Sequence, residues 1–351
     1  MSPMWNVLVG GLTAEVWEHY PRPEPDTVLP TARPAAGIER LSFDTASGTL
    51  RREGTAAADL RSPQYLEPHP TLPVLYAAEF AHSARLVAYD TAPDGALTPR
   101  AAVASLGTMA AAVAVHPSGS HAYVGHLVDG VLAAVALGPD GSPGRVEAVA
   151  PAAGASLHHL RVTPDGTALL VTDFGRDELC VHRLDGDGAL SGEPTRIRFP
   201  AGSRPRHLEL DPSGRAVYVV GESDGALYVL DAGGHVPTAI RSVQEIAPGG
   251  SPSELHLHPE GGTLFVGVRK ADLIASFAVD GAGGARLRAT VPSGGSSPRT
   301  LAVHPGGRHL LVGNWHSNEL ALFGIDGAHR LHPMSVPVLL PSPSSLVFTR
   351  R

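Results

Sequence analysis

A proline that is followed two residues later by glycine returns at a nearly constant interval along this chain. Successive marker prolines lie 46 to 48 residues apart, at Pro70, Pro117, Pro164, Pro212, Pro259 and Pro305. The glycine follows five of the six, at Gly119, Gly166, Gly214, Gly261 and Gly307. Repeats of this length are single supersecondary units that stack on their neighbours to bury an apolar face. The interval therefore indicates blades repeated around a ring.

The segment around Pro212 shows what one repeat contains. Short apolar runs at 206–210, 216–220 and 226–230 are separated by polar turns, and a fourth strand falls within 239–246. In the turn between the first two runs, proline presets φ and glycine accepts a positive φ. Four antiparallel strands in a repeat of this length make one blade of a β-propeller.

The whole chain, 1–351, is predicted to be one all-β domain, a seven-bladed β-propeller with four antiparallel strands per blade. Six blades carry the proline marker, and a degenerate first blade is predicted from the apolar segments 7–9 and 38–43. The tail at 345–348 is expected to pair into the first blade, so the chain ends close the ring and leave no open sheet edge. The predicted blades span 4–55, 60–105, 107–152, 154–200, 202–248, 250–293 and 296–340, with 343–349 closing the first.

Composition argues against several classes of protein. The net charge is −7, so no basic face indicates nucleic acid as a partner. Cys180 is the only cysteine, which rules out an intrachain disulfide and suits a reducing compartment. No stretch approaches the ~20 apolar residues of a membrane helix, and residues 1–11 lack the pattern of a signal peptide. We therefore expect a cytoplasmic monomer with no membrane or nucleic-acid partner.

Polar and charged residues gather at one end of the predicted ring. The first two strands of a blade form a hairpin, so the start of the first and the end of the second lie at the same mouth. Six residues before each marker proline, the chain has Gln64, Ala111, His158, Arg206, Ser253 and Arg299. About ten residues after the marker, it has Phe80, Leu127, Phe174, Glu222, Arg269 and Trp315. A concave opening with a few convergent polar groups is where a ligand is expected.

Four consecutive blades resemble a known family. They read HHLRVTPDGTALLVTDFGRDELCVHRLD, SRPRHLELDPSGRAVYVVGESDGALYVLD, SPSELHLHPEGGTLFVGVRKADLIASFAVD and SPRTLAVHPGGRHLLVGNWHSNELALFGID. Over 6–348 the chain is similar to the seven-bladed propeller lactonases, which include bacterial propeller-type 6-phosphogluconolactonase and fungal carboxy-muconate cyclase. The resemblance implies an active site at the mouth, with catalytic residues at His158, Arg206, Glu222 and Arg269.

These residue types fit the hydrolysis of a lactone, which needs an activated water and a stabilised oxyanion. A neutral histidine suits the general base, so we assign His158 to that role, with Glu222 orienting the cluster. Arg206 or Arg269 would stabilise the oxyanion, and Arg299 would hold an acidic substituent. The residues predicted to bind substrate are Arg299, Asp173, Asn314, His316 and His159. The structural alternative is a ring of salt bridges around a water-filled channel.

Other histidines are interpreted from their place in the repeat. His159 adjoins His158 and is expected to point to the opposite side of the strand, and a slip by one residue would exchange the two. His256 and His258 alternate on one strand, but no third ligand has convincing spacing, so no metal is expected. The histidines directly before a marker proline recur as a blade position and are interpreted as structural: His69, His116, His258 and His304.

No cofactor is expected. The chain has no Gly-x-Gly-x-x-Gly fingerprint of a dinucleotide site and no Gly-x-Ser-x-Gly elbow for a serine nucleophile. The partner predicted by the mouth residues is therefore a small-molecule lactone alone.

A proline-rich insertion interrupts the first blade at 13–34. It contains five prolines, at Pro21, Pro23, Pro25, Pro30 and Pro34. We interpret it as a stiff surface loop, and the functional alternative is a lid over the mouth.

The leading prediction is hydrolysis of a sugar lactone, most simply 6-phosphogluconolactone to 6-phosphogluconate. A lactonising cycloisomerase acting on a muconate would use the same arginine cluster for carboxylates. A third interpretation is a non-catalytic propeller that binds proteins, because propellers carry many functions. The convergent His, Arg and Glu residues favour an enzyme, since a scaffold more often has an exposed apolar face or one charged with a single sign.

Overall fold

The computed structural model of the protein describes residues 4–14, 33–149, 151–247, 249–334 and 336–351. These residues form β-strands joined by turns, with one short 3-10 helix at Arg269–Ala271. None of the helices in these segments is long and apolar enough to cross a membrane.

The strands are short and follow one another in regular order. The first fifteen are β1 (Met4–Gly11), β2 (Ile38–Asp44), β3 (Thr49–Ala57), β4 (Pro63–Pro68), β5 (Val74–Glu79), β6 (Arg85–Thr91), β7 (Leu97–Ala104), β8 (Ala110–Val115), β9 (His121–His126), β10 (Leu132–Leu137), β11 (Pro143–Val149), β12 (Leu157–Val162), β13 (Ala168–Asp173), β14 (Glu178–Leu184) and β15 (Leu190–Arg198). The others are β16 (Pro205–Leu210), β17 (Ala216–Gly221), β18 (Ala226–Gly233), β19 (Val236–Glu245), β20 (Pro252–Leu257), β21 (Thr263–Val268), β22 (Leu273–Val279), β23 (Ala285–Pro292), β24 (Pro298–Val303), β25 (His309–Asn314), β26 (Glu319–Ile325), β27 (Leu331–Pro333), β28 (Val338–Leu339) and β29 (Pro343–Arg350).

Seven antiparallel sheets form the blades of a propeller. Six of them use strands that are consecutive in the chain, and the seventh has the order β29-β1-β2-β3. In that sheet β1 pairs with β29 from Trp5 opposite Arg350 to Gly11 opposite Pro343. The prediction of a seven-bladed ring closed by the two ends of the chain is confirmed.

The innermost strands surround the axis of the ring. They are β29, β4, β8, β12, β16, β20 and β24, and each contacts the next around the circle. In every blade the pairing register of this strand shifts by one residue near its start, as at a β-bulge. A bulge re-aims a side chain and interrupts the regular alternation of faces. The second residue of each inner strand lies at this irregularity.

Buried tyrosines join neighbouring blades. Tyr76 and Tyr218, each on the second strand of its blade, donate hydrogen bonds to the carbonyl oxygens of Gly141 and Gly283, at 2.6 and 3.0 Å. Tyr123 makes the same contact with Gly188. A buried phenol needs such a partner. These tyrosines each lie six residues after a marker proline. In three blades, the residue at this position therefore both packs in the core and joins one blade to the next.

The histidines before the marker prolines also contact the next blade. Nε2 of His116 lies 3.0 Å from the carbonyl oxygen of Gly166, and Nε2 of His258 lies 2.8 Å from that of Gly307. His304 instead packs its ring against Trp5, with centroids 4.6 Å apart. These contacts agree with the structural role inferred from their recurrence.

The contact between His116 and Gly166 can be tested by adding one methyl group. Gly166 has φ +72°, and a Cβ there would lie 2.6 Å from Nε2 of His116. Gly261 occupies the same turn position, also with φ +72°, but a Cβ there would meet nothing within 4 Å. Alanine at either site costs about 1–2 kcal/mol for the left-handed backbone. Gly166→Ala should cost about 1 kcal/mol more, because it displaces His116 from its hydrogen bond.

The measurement is chemical unfolding of wild type and the two variants in urea. Equal losses of stability for Gly166→Ala and Gly261→Ala would contradict a role for the histidine contact. A smaller loss at Gly166 would contradict it more strongly.

Candidate active site

Six of the seven bulged residues line a cavity on the axis of the ring. Its upper wall is formed by Gln64, Ala111, His158, Arg206, Arg299 and Ser344. Tyr65, His207 and Glu254, each one residue after the bulge position of its blade, line the deeper part. The enclosed part of this space measures about 20 Å³, enough for one water molecule, and the rest is open to solvent.

A carboxylate joins two of the predicted arginines. Oε2 of Glu222 lies 2.8 Å from Nε of Arg206, and Oε1 lies 2.8 Å from a terminal nitrogen of Arg269. Arg206 also donates to the carbonyl oxygen of Ser253, and Arg269 to Oγ of Ser251 at 2.9 Å. Each guanidinium is thus held by the carboxylate on one side and by the neighbouring strand or loop on the other.

The ionisation of this pair follows from burial and from the paired charges. Burial alone would raise the pKa of Glu222, but Arg269 and Arg206 outweigh it and leave that pKa below the ordinary value. Burial, and then the charge of Arg269, lowers the pKa of Arg206 to about 9. Glu222 and Arg206 therefore remain charged at neutral pH.

His158 is a half-buried imidazole beside these cations. Its Nδ1 is buried and has no hydrogen-bond partner among the described residues. Its ring lies 5.7 Å from that of Phe174, measured between centroids. Burial, and then the positive charges of Arg206 and Arg299, holds the pKa of His158 well below 6.5. The imidazole is neutral at pH 7 and can accept a proton.

The mouth is charged on one side and apolar on the other. The charged side comes from blades four to seven and carries His158, Arg206, Glu222, Arg269 and Arg299. The opposite side is a buried apolar cluster, formed by Leu12, Phe80, Met109, Ala111 and Trp315. The guanidinium of Arg299 meets this cluster, because its central carbon lies 4.9 Å from the centre of the Trp315 ring. Leu12 and Met109 do not fall at the positions six before or ten after a marker proline, so the extent of this wall was not predicted.

Three other predicted substrate-binding residues do not line the cavity. Oδ1 of Asp173 accepts backbone N–H bonds from Ser156 and Arg176, at 3.0 and 3.2 Å, and burial raises its pKa. Asn314 is buried and donates to the carbonyl oxygen of Ser293 at 3.1 Å. His316 stacks on Trp315 with ring centroids 5.1 Å apart. Their roles in substrate binding stay predictions.

His159 lies on the same side as His158, contrary to the expected alternation. Nε2 of His159 is 2.9 Å from the Tyr65 hydroxyl, and its ring stacks on His207 with centroids 3.4 Å apart. Both neighbours line the cavity. The expectation of opposite sides is wrong because the bulge at His158 breaks the two-residue period of the strand.

Apart from His159, the residues of the deeper layer were not predicted, although the sequence carries a signal for them. The residues five positions before the marker prolines are Tyr65, Ala112, His159, His207, Glu254 and Thr300. Five of these six are polar at a position that faces the axis of the ring. Polar residues repeated at this position are therefore the sequence signal for the deeper layer.

Two groups of potential metal ligands occur among the described residues. One contains His258, Glu260 and His329, but both nitrogens of His258 already have partners, the Gly307 carbonyl and the Glu260 backbone N–H. The other contains Asp173, Glu178 and Cys180. There Asp173 accepts backbone hydrogen bonds, and Glu178 forms ion pairs with Arg176, Arg196 and Arg198. Neither group supports a metal site.

The two ends of the proline-rich insertion are anchored near the mouth. The backbone N–H of Thr13 donates to Oγ of Ser62 at 2.8 Å, and that of Arg33 donates to Oδ1 of Asn318 at 2.6 Å. Residues 15–32 lie outside the described residues, so the predicted loop and the alternative lid are not addressed.

The chain matches the family model described as "Lactonase, 7-bladed beta-propeller" over residues 27–348. A 6-phosphogluconolactonase from Klebsiella pneumoniae is 26% identical over 203 residues, which cover 56% of this chain and 60% of that protein. A 6-phosphogluconolactonase from Erwinia tasmaniensis is likewise 26% identical, over 57% of this chain and 61% of its own length. The matched region thus spans about three fifths of these curated relatives.

Solved structures match over nearly the whole chain. The periplasmic gluconolactonase of Pseudomonas aeruginosa has a TM-score of 0.85 and 25% identity, covering 98% of this chain and 99% of its own. A putative 6-phosphogluconolactonase from Bacteroides fragilis has a TM-score of 0.86 at 21% identity, covering 99% and 98%, which shows the shared fold. The family match, the closed ring and the residues at its mouth together lead to one conclusion: this chain belongs to the seven-bladed β-propeller lactonase family.

Proposed function

We propose that this protein hydrolyses a sugar lactone, with 6-phosphogluconolactone as its first candidate substrate. The observation that carries the proposal is a half-buried, neutral His158 facing the same cavity as the charged Arg206 and Arg299. Membership of the lactonase family supports the reaction class. The names of the Klebsiella pneumoniae and Erwinia tasmaniensis relatives support the choice of substrate.

The charges around the mouth favour an anionic substrate. Arg206, Arg269 and Arg299 carry three positive charges, while Glu222 carries one negative charge. Glu254 adds a second negative charge one layer deeper. The sum is positive, and guanidinium groups bind carboxylates and phosphates through paired hydrogen bonds. A phosphorylated lactone, or a lactone that opens to a carboxylate, meets this requirement.

In the proposed reaction, the base and the cations have separate roles. His158 takes a proton from water as the water oxygen bonds to the lactone carbonyl carbon. The carbonyl oxygen gains negative charge, which Arg206 stabilises from within the cavity. When the bond between the carbonyl carbon and the ring oxygen breaks, the protonated His158 returns its proton to that oxygen. One water is consumed and the product is a hydroxy acid.

Glu222 acts by holding the arginines in this scheme. Both of its oxygens lie against guanidinium groups, and its pKa is below the ordinary value, so it is a poor proton acceptor. Removing its charge would leave Arg206 and Arg269 close together without a shared anion. Its contribution is therefore the position of the two cations.

Substitution of His158 tests the proposal directly. His158→Ala should lower the rate of enzymatic lactone opening by about 100- to 10,000-fold, the usual range for loss of a general base. The melting temperature should change little, since Nδ1 has no protein partner to lose. The assay couples 6-phosphogluconolactone opening to 6-phosphogluconate dehydrogenase and subtracts the spontaneous reaction.

His256→Ala is the matched control, because His256 lies on an inner strand, outside the residues that line the cavity, and its Nδ1 lies 3.1 Å from the neighbouring Leu257 carbonyl oxygen. It should retain wild-type activity. Full activity in His158→Ala would overturn the assignment of the base. No activity on phosphorylated or plain gluconolactone, with turnover of a muconate, would favour the cycloisomerase instead.

The pH dependence gives a second test. Below its pKa, His158 is protonated and cannot act as a base. Because the folded protein holds that pKa well below 6.5, kcat/KM should stay level as the pH falls through 6.5 and should decline only below it. Arg299→Met removes one of the positive charges that lower this pKa. The acid limb of the pH profile, where kcat/KM declines, should therefore move to higher pH.

Arg145→Met serves as the control, since Arg145 is exposed and pairs with Glu147 at 2.7 Å, and it should leave the limb in place. Arg299→Met is also expected to weaken substrate binding, so only the position of the limb is diagnostic. A wild-type limb centred above 6.5, or one that Arg299→Met does not move, would contradict the prediction.

A further inference from the structure

A belt of polar side chains forms the floor of the cavity. The Tyr65 hydroxyl lies 2.9 Å from Nε2 of His159, and the His159 ring stacks on His207. Nε2 of His207 then lies 3.3 Å from Oε1 of Glu254, whose other oxygen accepts the Leu301 backbone N–H at 3.0 Å. The belt therefore crosses the channel directly beneath His158 and the arginines.

The hydrogen bonds of His159 decide which way the Tyr65 proton points. Nδ1 of His159 accepts the backbone N–H of Leu208 at 3.3 Å, so in the neutral ring the proton is on Nε2. That proton is donated to the Tyr65 oxygen. The hydroxyl hydrogen of Tyr65 then has no acceptor among the described residues. Burial raises the pKa of Tyr65, so the hydroxyl keeps its hydrogen as a donor to the cavity.

Two acceptors line the same cavity as this donor. Nε2 of His207 lies 3.3 Å from Oε1 of the ionised Glu254 without a hydrogen bond, and that negative charge favours the ring proton on Nε2, which leaves Nδ1 as an acceptor. Oε1 of Gln64 and both ring nitrogens of His207 are buried and have no hydrogen-bond partner among the described residues. Both residues line the cavity. A buried polar atom without a partner destabilises the protein unless water or a ligand satisfies it.

We propose that this floor is a hydroxyl-binding subsite, in which Tyr65 donates a hydrogen bond to a ligand hydroxyl while Gln64 and His207 accept hydrogen bonds from ligand hydroxyls. The proposal deepens the proposed lactone hydrolysis, on which its biological meaning rests, by assigning the residues that select a polyhydroxylated substrate. Glu254 and His159 are positioning residues, because they set the proton positions of His207 and Tyr65.

The chemistry of the floor selects hydroxyl groups over anionic groups. A hydroxyl both donates and accepts, which matches one donor next to two acceptors. A phosphate or carboxylate only accepts when ionised, and it would be repelled by Glu254 and by the two acceptor atoms. The anionic end of a ligand is therefore expected at the arginines, with its hydroxyl groups directed to the floor.

The experiment compares two six-carbon carboxylates, D-gluconate and hexanoate, which share the anionic group and differ in their hydroxyls. Calorimetric titration should show that the wild type prefers gluconate. Tyr65→Phe and Gln64→Met should each reduce that preference by about tenfold or more, mainly through weaker gluconate binding. Gln64→Met should not lower the melting temperature of the ligand-free protein, since the amide oxygen it removes has no partner.

Tyr76→Phe is the matched control, because it removes a buried tyrosine hydroxyl that bonds Gly141 away from the cavity. It should leave the preference for gluconate unchanged. The subsite is overturned if the wild type does not prefer gluconate, or if Tyr65→Phe and Gln64→Met alter both affinities by the same factor. Because the readout is binding, a failure of lactone hydrolysis would be seen separately, in the coupled assay.

Discussion

The closed ring is the constraint on which the rest of the structure depends. Seven inner strands packed around one axis bring residues from distant parts of the sequence to within a few ångströms of each other. Closure requires β1 and β29 to pair, since this is the contact that completes the first blade. The side chains facing the axis must then share a narrow space, and the sequence fills it mostly with polar groups whose hydrogen bonds cross from blade to blade.

The burial of charge in that space explains why the cluster is arranged as it is. A buried guanidinium without an anion is costly, and Glu222 offsets that cost for Arg206 and Arg269 together. One carboxylate serving two cations leaves an excess of positive charge at the mouth. Burial, together with this excess, keeps His158 neutral. A single arrangement thus supplies the attraction for an anion and the unprotonated base beside it.

Much of the fold could be predicted because the residues that form the turns recur from repeat to repeat. Pro-x-Gly at a constant interval specifies a local turn, and a local turn repeated in this way specifies the blade. The set of residues six positions before the marker prolines, which contains His158, Arg206 and Arg299, was predicted in the same way. Position in the repeat did not show where the side chains of Asp173 and Asn314 point, because hydrogen bonds to nearby backbone groups hold them. The contact between Tyr65 and His159 skips a blade, so a pattern within single repeats does not indicate it.

The first blade has a consequence for how the molecule is made. Its strands come from opposite ends of the described chain: the hydroxyl of Ser344 bonds the carbonyl oxygen of Gly10 across 334 positions of sequence. During synthesis β1 leaves the ribosome long before β29, and until then its edge is open to other chains. Ser344 also lines the cavity. The last described strand to be translated therefore both protects the first from aggregation and completes the wall of the binding site, so a chain stopped just short of it would lose solubility and function together.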